Sequence, residues 1–150
     1  MTPIRRLDHV AIAVRDTQAA LARFGAGYGL SVISSEELER PHVRLTYIDC
    51  GNAFIQLVEP LDQTSPIAEF LAEHGEGLHH ICFGVDDVPA GAAALAPEGS
   101  LPPALGSGRG RASAFVAGDP PCGVPVEVTE FRQDEDVTRS NGWIPPIGPT

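Results

Sequence analysis

Two histidines 71 residues apart stand in nearly the same local sequence. His9 lies in Leu-Asp-His-Val-Ala-Ile-Ala-Val-Arg-Asp at residues 7–16, and His80 lies in Leu-His-His-Ile-Cys-Phe-Gly-Val-Asp-Asp at residues 78–87. The two stretches align without a gap, and each is followed by a run of small residues typical of a helix. Imidazoles at equivalent positions of a repeat are candidates for a shared metal ion.

The same offset relates Gln56 to Glu127, each of which follows its histidine by 47 residues. Two matches at one offset indicate a duplicated module. If the two modules pair about a pseudo-two-fold axis, His9, Gln56, His80 and Glu127 converge. Two imidazoles, an amide oxygen and a carboxylate suit Co²⁺, Mn²⁺, Ni²⁺, Fe²⁺ or Zn²⁺ better than a thiolate-seeking ion. Four such ligands in an octahedral sphere leave two adjacent positions for a bidentate substrate.

The other histidines and the cysteines fit structural roles better. A single histidine on a strand is more often packed than metal-bound, and only the repetition singles out the pair above. His79 points away from His80, and its repeat partner is Asp8, so we expect a structural or outer-sphere role. Cys82 shares the face of His80, but the equivalent residue of the other copy is Ala11. We therefore do not expect a cysteine ligand.

Alternating side chains predict the strand that carries His9. Over residues 8–14, Val10 and Ile12 point to one side, which we take as the core, while Ala11 and Ala13 share the side of His9 and leave space beside it. Asp16 is a good N-cap for a helix over residues 17–24. The rest of the first copy predicts a strand at residues 30–34, a polar connection at 36–41, and a hairpin of strands at 43–49 and 53–58.

The second copy repeats this order after a linking helix. Ser65 caps that helix, and Gly75 and Gly77 end it. A second module helix follows Asp87, a Pro- and Gly-rich loop covers residues 97–110, and strands are predicted at residues 112–116 and 126–130.

The predicted fold class is α+β, with two tandem βαβββ modules paired about a pseudo-two-fold axis and mixed sheets curved around a metal cavity. We expect a single domain over residues 1–150. Its parts are module one at about 4–61, the linker helix at about 65–74, module two at about 76–131 and a C-terminal tail at 132–150 that contains Trp143.

Composition excludes several classes of function. A formal charge of −10 argues against nucleic acid or an anionic membrane surface as a partner. All ten basic residues are arginines, so Schiff-base chemistry on a lysine is impossible. Three dispersed cysteines form no disulfide framework, and we expect all three to be small buried residues. With no leader-like or membrane-spanning stretch, the sequence predicts a cytoplasmic protein.

Four stretches resemble a known family. Paired modules with this ligand pattern resemble the vicinal oxygen chelate superfamily, which includes glyoxalase I, extradiol dioxygenases and bleomycin-resistance proteins. Within it, residues 7–14, 55–61, 65–71 and 75–81 are similar to methylmalonyl-CoA epimerases; the last two read Ser-Pro-Ile-Ala-Glu-Phe-Leu and Gly-Glu-Gly-Leu-His-His-Ile. The resemblance covers about residues 4–131 and implies the same four metal ligands.

The resemblance implies a reaction at carbon 2 of an acyl thioester. A 2-methylmalonyl thioester, presented by CoA, can chelate the ion through its carboxylate and thioester oxygens, and the ion then stabilises the enolate left by proton loss. Epimerisation needs an acid/base group on each face, for which Glu127 and Glu39 are the candidates. Arg109 and Arg111 are the candidates for contacting CoA phosphates. The sequence departs from the family around Glu39, and it has Ala117-Gly118 where the family often has His-Pro.

Other functions of the same scaffold stay open. A lyase, isomerase, decarboxylase or ring-cleaving dioxygenase would use a similar centre. A dioxygenase typically has three protein ligands, so Gln56 as a fourth ligand counts against that reaction. A small-molecule binding or resistance protein would usually lack the ligand set. Since soluble members of the superfamily mostly form dimers, we expect a homodimer, with Trp143 and the tail as a possible contact.

Overall fold

The structure is a computed structural model that describes residues 2–133, 135 and 136. Its strands are β1 Ile4–Ala13, β2 Ser31–Glu39, β3 His42–Asp49, β4 Phe54–Pro60, β5 Gly77–Val85, β6 Gly106–Gly108, β7 Arg111–Phe115 and β8 Val126–Glu130. Its α-helices are α1 Thr17–Leu21, α2 Pro66–His74 and α3 Val88–Leu95. A π-helical turn, Ala22–Gly27, extends α1, and a 3-10 turn, Pro121–Gly123, precedes β8.

The repeated order of elements is confirmed. One strand, one helix and three strands occur twice, and α3 begins at Val88, at the same 71-residue offset from Thr17 that separates the two histidines. Each helix start is capped as the sequence predicts: Asp16 accepts a hydrogen bond from the Ala19 N–H and Asp87 from the Ala90 N–H. Equivalent caps at equivalent positions are what a duplicated module requires.

The chain divides into two compact units. One unit contains Ile12–Gly77, together with the described residues that follow Arg132. In it, β2, β3 and β4 form an antiparallel sheet, with Tyr47 directly opposite Gln56 on the neighbouring strand. Its core is built around Val14, Ile48 and Leu57.

The other unit contains the chain up to Ala11 together with Leu78–Arg132. Its strands follow the order β1-β5-β8-β7-β6. Strand β8 runs parallel to β5 and antiparallel to β7. A core cluster that includes Val85, Val88 and Val128 joins α3 to this sheet. Gly91 of α3 lies so close to β5 that an added Cβ would stand 3.0 Å from a methyl carbon of Val85.

Three local predictions differ from the structure. Strand β2 continues to Glu39, so the predicted polar connection at residues 36–41 is wrong for most of its length. Cross-strand pairing explains this, because β3 supplies partners such as Arg44 for Glu37 and Thr46 for Ser35. The helix predicted over residues 17–24 ends as an α-helix at Leu21 and continues as the π-helical turn.

The third difference concerns the faces of β1 and β5. The side of His9 was expected to leave open space, yet Ala11, Ala13 and Cys82 are each 0% exposed. Val10 and Ile12, on the side expected to be the core, are only partly buried. Small side chains are covered completely by close-packed neighbours, so a small-residue face is not by itself an open one.

Several larger predictions stay untested. Trp143 and nearly all of the predicted tail lie outside the described residues, and the single-domain organisation remains a prediction. Within the described residues, no helix is long and apolar enough to cross a membrane.

Truncating a core leucine tests the described packing. Leu57 is 0% exposed, so Leu57→Ala should lower the free energy of unfolding by about 2–5 kcal/mol, because it leaves a cavity beside Val14 and Ile48. Leu101 is 85% exposed, and Leu101→Ala should change that free energy by less than about 0.5 kcal/mol. Urea denaturation followed by circular dichroism measures both, and equal effects would contradict the described core.

Candidate metal centre

Three strands of one unit carry three potential metal ligands to one place. His9 lies on β1, His80 on β5 and Glu127 on β8. Glu127 is paired with Cys82 across β5 and β8, and Cys82 is two residues from His80. Because alternate residues of a strand share a face, the register puts Glu127 and His80 on the same side of the sheet.

The carboxylate of Glu127 lies between the two imidazoles. Its Oε1 is 3.4 Å from Nε2 of His9 and 3.6 Å from Nε2 of His80. The two rings meet edge to face with centroids 5.6 Å apart. Both histidines are almost fully buried, and the Glu127 side chain is 13% exposed. The trio is therefore close together and largely shielded from bulk water, with the side chain of Glu127 partly exposed.

The spacing of these atoms fits a shared cation. Two ligand atoms that each lie ~2.1 Å from one ion are separated by about 3.0–4.2 Å, depending on the angle between them. The three ligand atoms here lie within 4.8 Å of one another, and both Glu127 distances fall inside the expected range. Nε2 of His80 is also buried with no hydrogen-bond partner among the described residues. The donor set and its spacing thus suit a divalent ion.

Asp8 fixes the orientation of the His9 ring. Its Oδ2 lies 2.6 Å from Nδ1 of His9 and 2.5 Å from an Nη2 of Arg109. The Asp8 side chain is 1% exposed and that of Arg109 is 9% exposed. A carboxylate acceptor at Nδ1 places the proton there, which leaves the Nε2 lone pair directed towards Glu127.

His79 occupies the equivalent place beside His80. The Nδ1 atoms of the two rings lie 2.7 Å apart, so one must donate to the other. If His80 donates, its Nε2 carries the lone pair that a metal ligand needs. The prediction that His79 points away from His80 is therefore wrong for the rings, which lie with centroids 5.0 Å apart. The contact fits the structural or outer-sphere role predicted for His79, and it repeats at position 79 what Asp8 does at position 8.

Burial and charge act against each other on the pKa values of this cluster. Burial raises the pKa of Glu127, but the neighbouring imidazoles of His80 and His9 more than offset it and hold that pKa well below its usual range. Burial lowers the pKa of His9, but Asp8 and Glu127 raise it above its ordinary value. Burial lowers the pKa of His79 to about 4. The cluster therefore keeps Glu127 ionised, the form that binds a cation.

Gln56 lies in the other compact unit, buried on β4. Its Nε2 donates a hydrogen bond to the hydroxyl of Tyr47, 2.6 Å away. This contact engages the amide nitrogen, so the amide oxygen is the atom that would coordinate if Gln56 is a ligand. Its membership of the metal site stays a prediction.

The other predicted site residues lie in different surroundings. Glu39 is exposed at the end of β2, beside the Arg40–Pro41 bond. Arg109 is engaged by Asp8, and Arg111 is 4% exposed and donates to the carbonyl of Glu130. The contact of Arg109 and Arg111 with CoA phosphates remains a prediction, although neither guanidinium lies on an open surface.

The cysteines divide by burial. Cys82 is fully buried, and burial raises its pKa well above the ordinary value. Cys50 is half-buried, and Cys122 is exposed in a left-handed backbone conformation with φ 54°. The prediction that all three are buried is therefore wrong for Cys122, because the 3-10 turn before β8 holds it at the surface.

A large apolar cavity in the same unit is not the metal centre. It has a volume of about 600 Å³ and is lined by residues that include Phe83, Leu95, Phe115 and Pro121. Phe115 also packs edge to face on the ring of His80, with centroids 5.0 Å apart. Since no member of the trio lines this cavity, it lacks the groups that the chemistry needs.

The family model of the Glyoxalase/Bleomycin resistance protein/Dioxygenase superfamily matches residues 8–117. The chain belongs to this superfamily. The resemblance inferred from the sequence is thereby confirmed, and so is the α+β fold class, since solved members of the superfamily superpose on most of the chain.

Several superfamily relatives are epimerases. An ethylmalonyl-CoA/methylmalonyl-CoA epimerase of Cereibacter sphaeroides is 38% identical over 112 residues, which are 74% of this chain and 82% of that protein. A Streptomyces coelicolor methylmalonyl-CoA epimerase variant in complex with 2-nitronate-propionyl-CoA has a TM-score of 0.76 at 31% identity, covering 85% of this chain and 97% of its own. The Mycobacterium tuberculosis methylmalonyl-CoA epimerase has a TM-score of 0.76 at 26% identity, covering 88% and 91%.

Sequence reasoning missed some of the residues that hold the site. Tyr47 gave no signal apart from its place on a predicted strand opposite Gln56. Phe115 was assigned only to the last predicted strands. Asp8 was noted only as the repeat partner of His79, and its pairing with Arg109 joins residues 101 positions apart. Only the three-dimensional approach of the β6–β7 turn to β1 reveals that pair.

Thiol reactivity tests the described burial beside the centre. Cys122 should react with a thiol reagent at the rate of an exposed thiol, whereas Cys82 should react only after unfolding, because it is 0% exposed. Timed labelling with and without urea, followed by peptide mass spectrometry, measures each site. The variant Cys122→Ser should abolish the fast phase, and fast labelling of Cys82 in folded protein would refute the described packing.

Proposed function

We propose that this protein is a divalent-metal-dependent epimerase that moves the C2 proton of a 2-substituted malonyl thioester, or a related acyl thioester, carried by CoA. The observation that carries the proposal is the convergence of His9, His80 and Glu127 on one point. The superfamily membership and the epimerase relatives support it. The ion is one of Co²⁺, Mn²⁺, Ni²⁺, Fe²⁺ or Zn²⁺.

His9, Gln56, His80 and Glu127 would hold the ion. When bound, it would supply Lewis acidity to two oxygens of the substrate and so stabilise negative charge there. Asp8 and His79 orient the imidazoles of His9 and His80 through contacts to their Nδ1 atoms. Tyr47 orients the amide of Gln56 through the hydrogen bond to its nitrogen.

Two carboxylates are proposed to move the proton. Loss of the C2 proton gives an enolate, and its return from the opposite face inverts the centre, so the acid/base groups must flank the substrate. Glu127 lies at the centre, and Glu39 is the proposed group for the other face. The lowered pKa of Glu127 makes it a weak base and a good ligand.

Metal binding tests the ligand set directly. The variant His80→Ala should weaken Co²⁺ binding by more than the ~10–100-fold typical of losing an outer-sphere partner, because it removes a direct ligand. His74→Ala is the matched control, since His74 is an exposed histidine whose side chain is 62% exposed. Isothermal titration calorimetry measures both, and equal affinities would exclude His80 as a ligand.

Isotope exchange tests the reaction. Metal-loaded protein with methylmalonyl-CoA in D₂O should exchange the C2 proton, followed by NMR. Glu39→Gln and Glu127→Gln should each slow exchange or racemisation by about 10²–10⁴-fold, the usual contribution of an acid/base group. Glu73→Gln, at an exposed glutamate, should leave the rate unchanged. A fully active Glu39→Gln variant would remove Glu39 from the mechanism.

One observation favours a second candidate. Two histidines and one carboxylate also form the ligand set of non-haem iron oxygenases, so a ring-cleaving dioxygenase would fit the described trio. Oxygen uptake by Fe²⁺-loaded protein with a catechol would support that function, and its absence together with C2 exchange would support the epimerase.

The proposed assembly is a homodimer. Size-exclusion chromatography with light scattering measures the molar mass, and a monomer at micromolar concentration would refute it.

A further inference from the structure

We propose that Arg109 is a positioning residue of the metal centre. It holds Asp8, and through Asp8 it holds the His9 ring with Nε2 directed at the ion. This inference rests on the metal site proposed above and extends it to a residue that contacts neither the ion nor the substrate.

The position of Arg109 in its turn is unusual for an arginine. It lies in the two-residue turn between β6 and β7, where Gly108 pairs with Arg111. Arg109 has φ 55° and Gly110 has φ 69°, both in the left-handed region. Turns of this kind favour Gly, Asn or Asp at both positions. The backbone therefore gives arginine no advantage here, and any advantage must come from its side chain.

The side chain makes a buried ion pair. Nη2 of Arg109 lies 2.5 Å from Oδ2 of Asp8, with the two side chains 9% and 1% exposed. A carboxylate so deeply buried needs a compensating charge and hydrogen bonds. The β6–β7 turn thus places the guanidinium of Arg109 against Asp8 of β1, 101 residues away in sequence.

The same carboxylate oxygen contacts the metal-ligating ring. Oδ2 of Asp8 is 2.6 Å from Nδ1 of His9, whose Nε2 is 3.4 Å from Glu127. A shift of Asp8 would therefore turn the ring or change which nitrogen carries the proton. At the equivalent position of the second module, His79 contacts Nδ1 of His80.

A role in binding a CoA phosphate would compete with this one. The guanidinium cannot remain on buried Asp8 and also reach a phosphate in solvent. The two roles predict different losses, since a positioning residue changes metal affinity and a phosphate contact changes CoA affinity.

A double-mutant cycle on Co²⁺ affinity separates the possibilities. Calorimetry gives the affinity and stoichiometry, and the visible absorption of bound Co²⁺ reports its ligand geometry. Arg109→Gln and Asp8→Asn should each weaken Co²⁺ binding about 10–100-fold and alter the absorption. The double variant should be no weaker than Asp8→Asn alone, because Arg109 acts through Asp8.

The control is an exposed ion pair of the same unit. Arg5 contacts Asp86 at 2.9 Å, with side chains 55% and 63% exposed. Arg5→Gln, Asp86→Asn and their double variant make the same charge changes, and each should leave Co²⁺ affinity within about twofold, since exposed pairs contribute little.

The outcomes are distinct. Unchanged Co²⁺ affinity in Arg109→Gln, fully additive losses, or a loss of CoA affinity alone would overturn the positioning role while leaving the metal site intact. Wild-type protein that binds no Co²⁺ would overturn the metal site itself and this inference with it. If circular dichroism shows Arg109→Gln to be unfolded, Arg109→Lys replaces it. Lysine keeps the charge but not the planar geometry, so a several-fold loss is expected, and wild-type affinity would contradict the proposal.

Discussion

A single carboxylate between two imidazoles governs this structure. Glu127 is ionised and largely buried, and a buried charge is tolerated only where opposite charge and hydrogen-bond donors surround it. His9 and His80 approach it with the nitrogens that face inward, at distances longer than hydrogen bonds and suited to ligands of one ion. The remaining polar residues of the centre follow from this arrangement, since each imidazole must be held in one tautomer and one orientation.

The two modules hold their histidine rings from the same backbone position but with different side chains. In both, the residue just before the ligand histidine contacts Nδ1 of that histidine. Asp8 does so as a carboxylate paired with Arg109, whereas His79 does so as a neutral ring. The duplication thus fixes the position of the residue that contacts Nδ1 of each histidine. The charge of that residue differs between the two modules. The result is a symmetric set of positions around an electrostatically asymmetric site.

Much of the fold and part of the centre could be predicted from the sequence. The module order follows from the repeat, and the helix starts follow from caps such as Asp16 and Asp87. His9, His80 and Glu127 could be grouped because a common offset relates the histidines and relates Glu127 to Gln56. Each of these signals is local or periodic, and such signals survive in the sequence whatever the tertiary structure.

The features that could not be predicted depend on contacts between distant residues. The continuation of β2 to Glu39 depends on partners in β3, and the role of Arg109 depends on the approach of a hairpin turn to β1. The predictions of burial failed for the same reason. Ala11 and Cys82 are covered by neighbours that composition does not reveal, and a turn exposes Cys122. Tertiary context decides exposure, and exposure governs the reactivity of a thiol.

The close approach of Gly91 to Val85 affects the position of a strand as well as the stability of one helix. Helix α3 rests against the end of the strand that carries His80, and a Cβ added at Gly91 would stand 3.0 to 3.1 Å from side-chain carbons of Val85. A side chain at position 91 would require Val85 or the helix to shift by a few tenths of an ångström, and the geometry of a functional site tolerates only about half an ångström of error. A residue with no side-chain carbon thereby limits where the strand that carries His80 can lie.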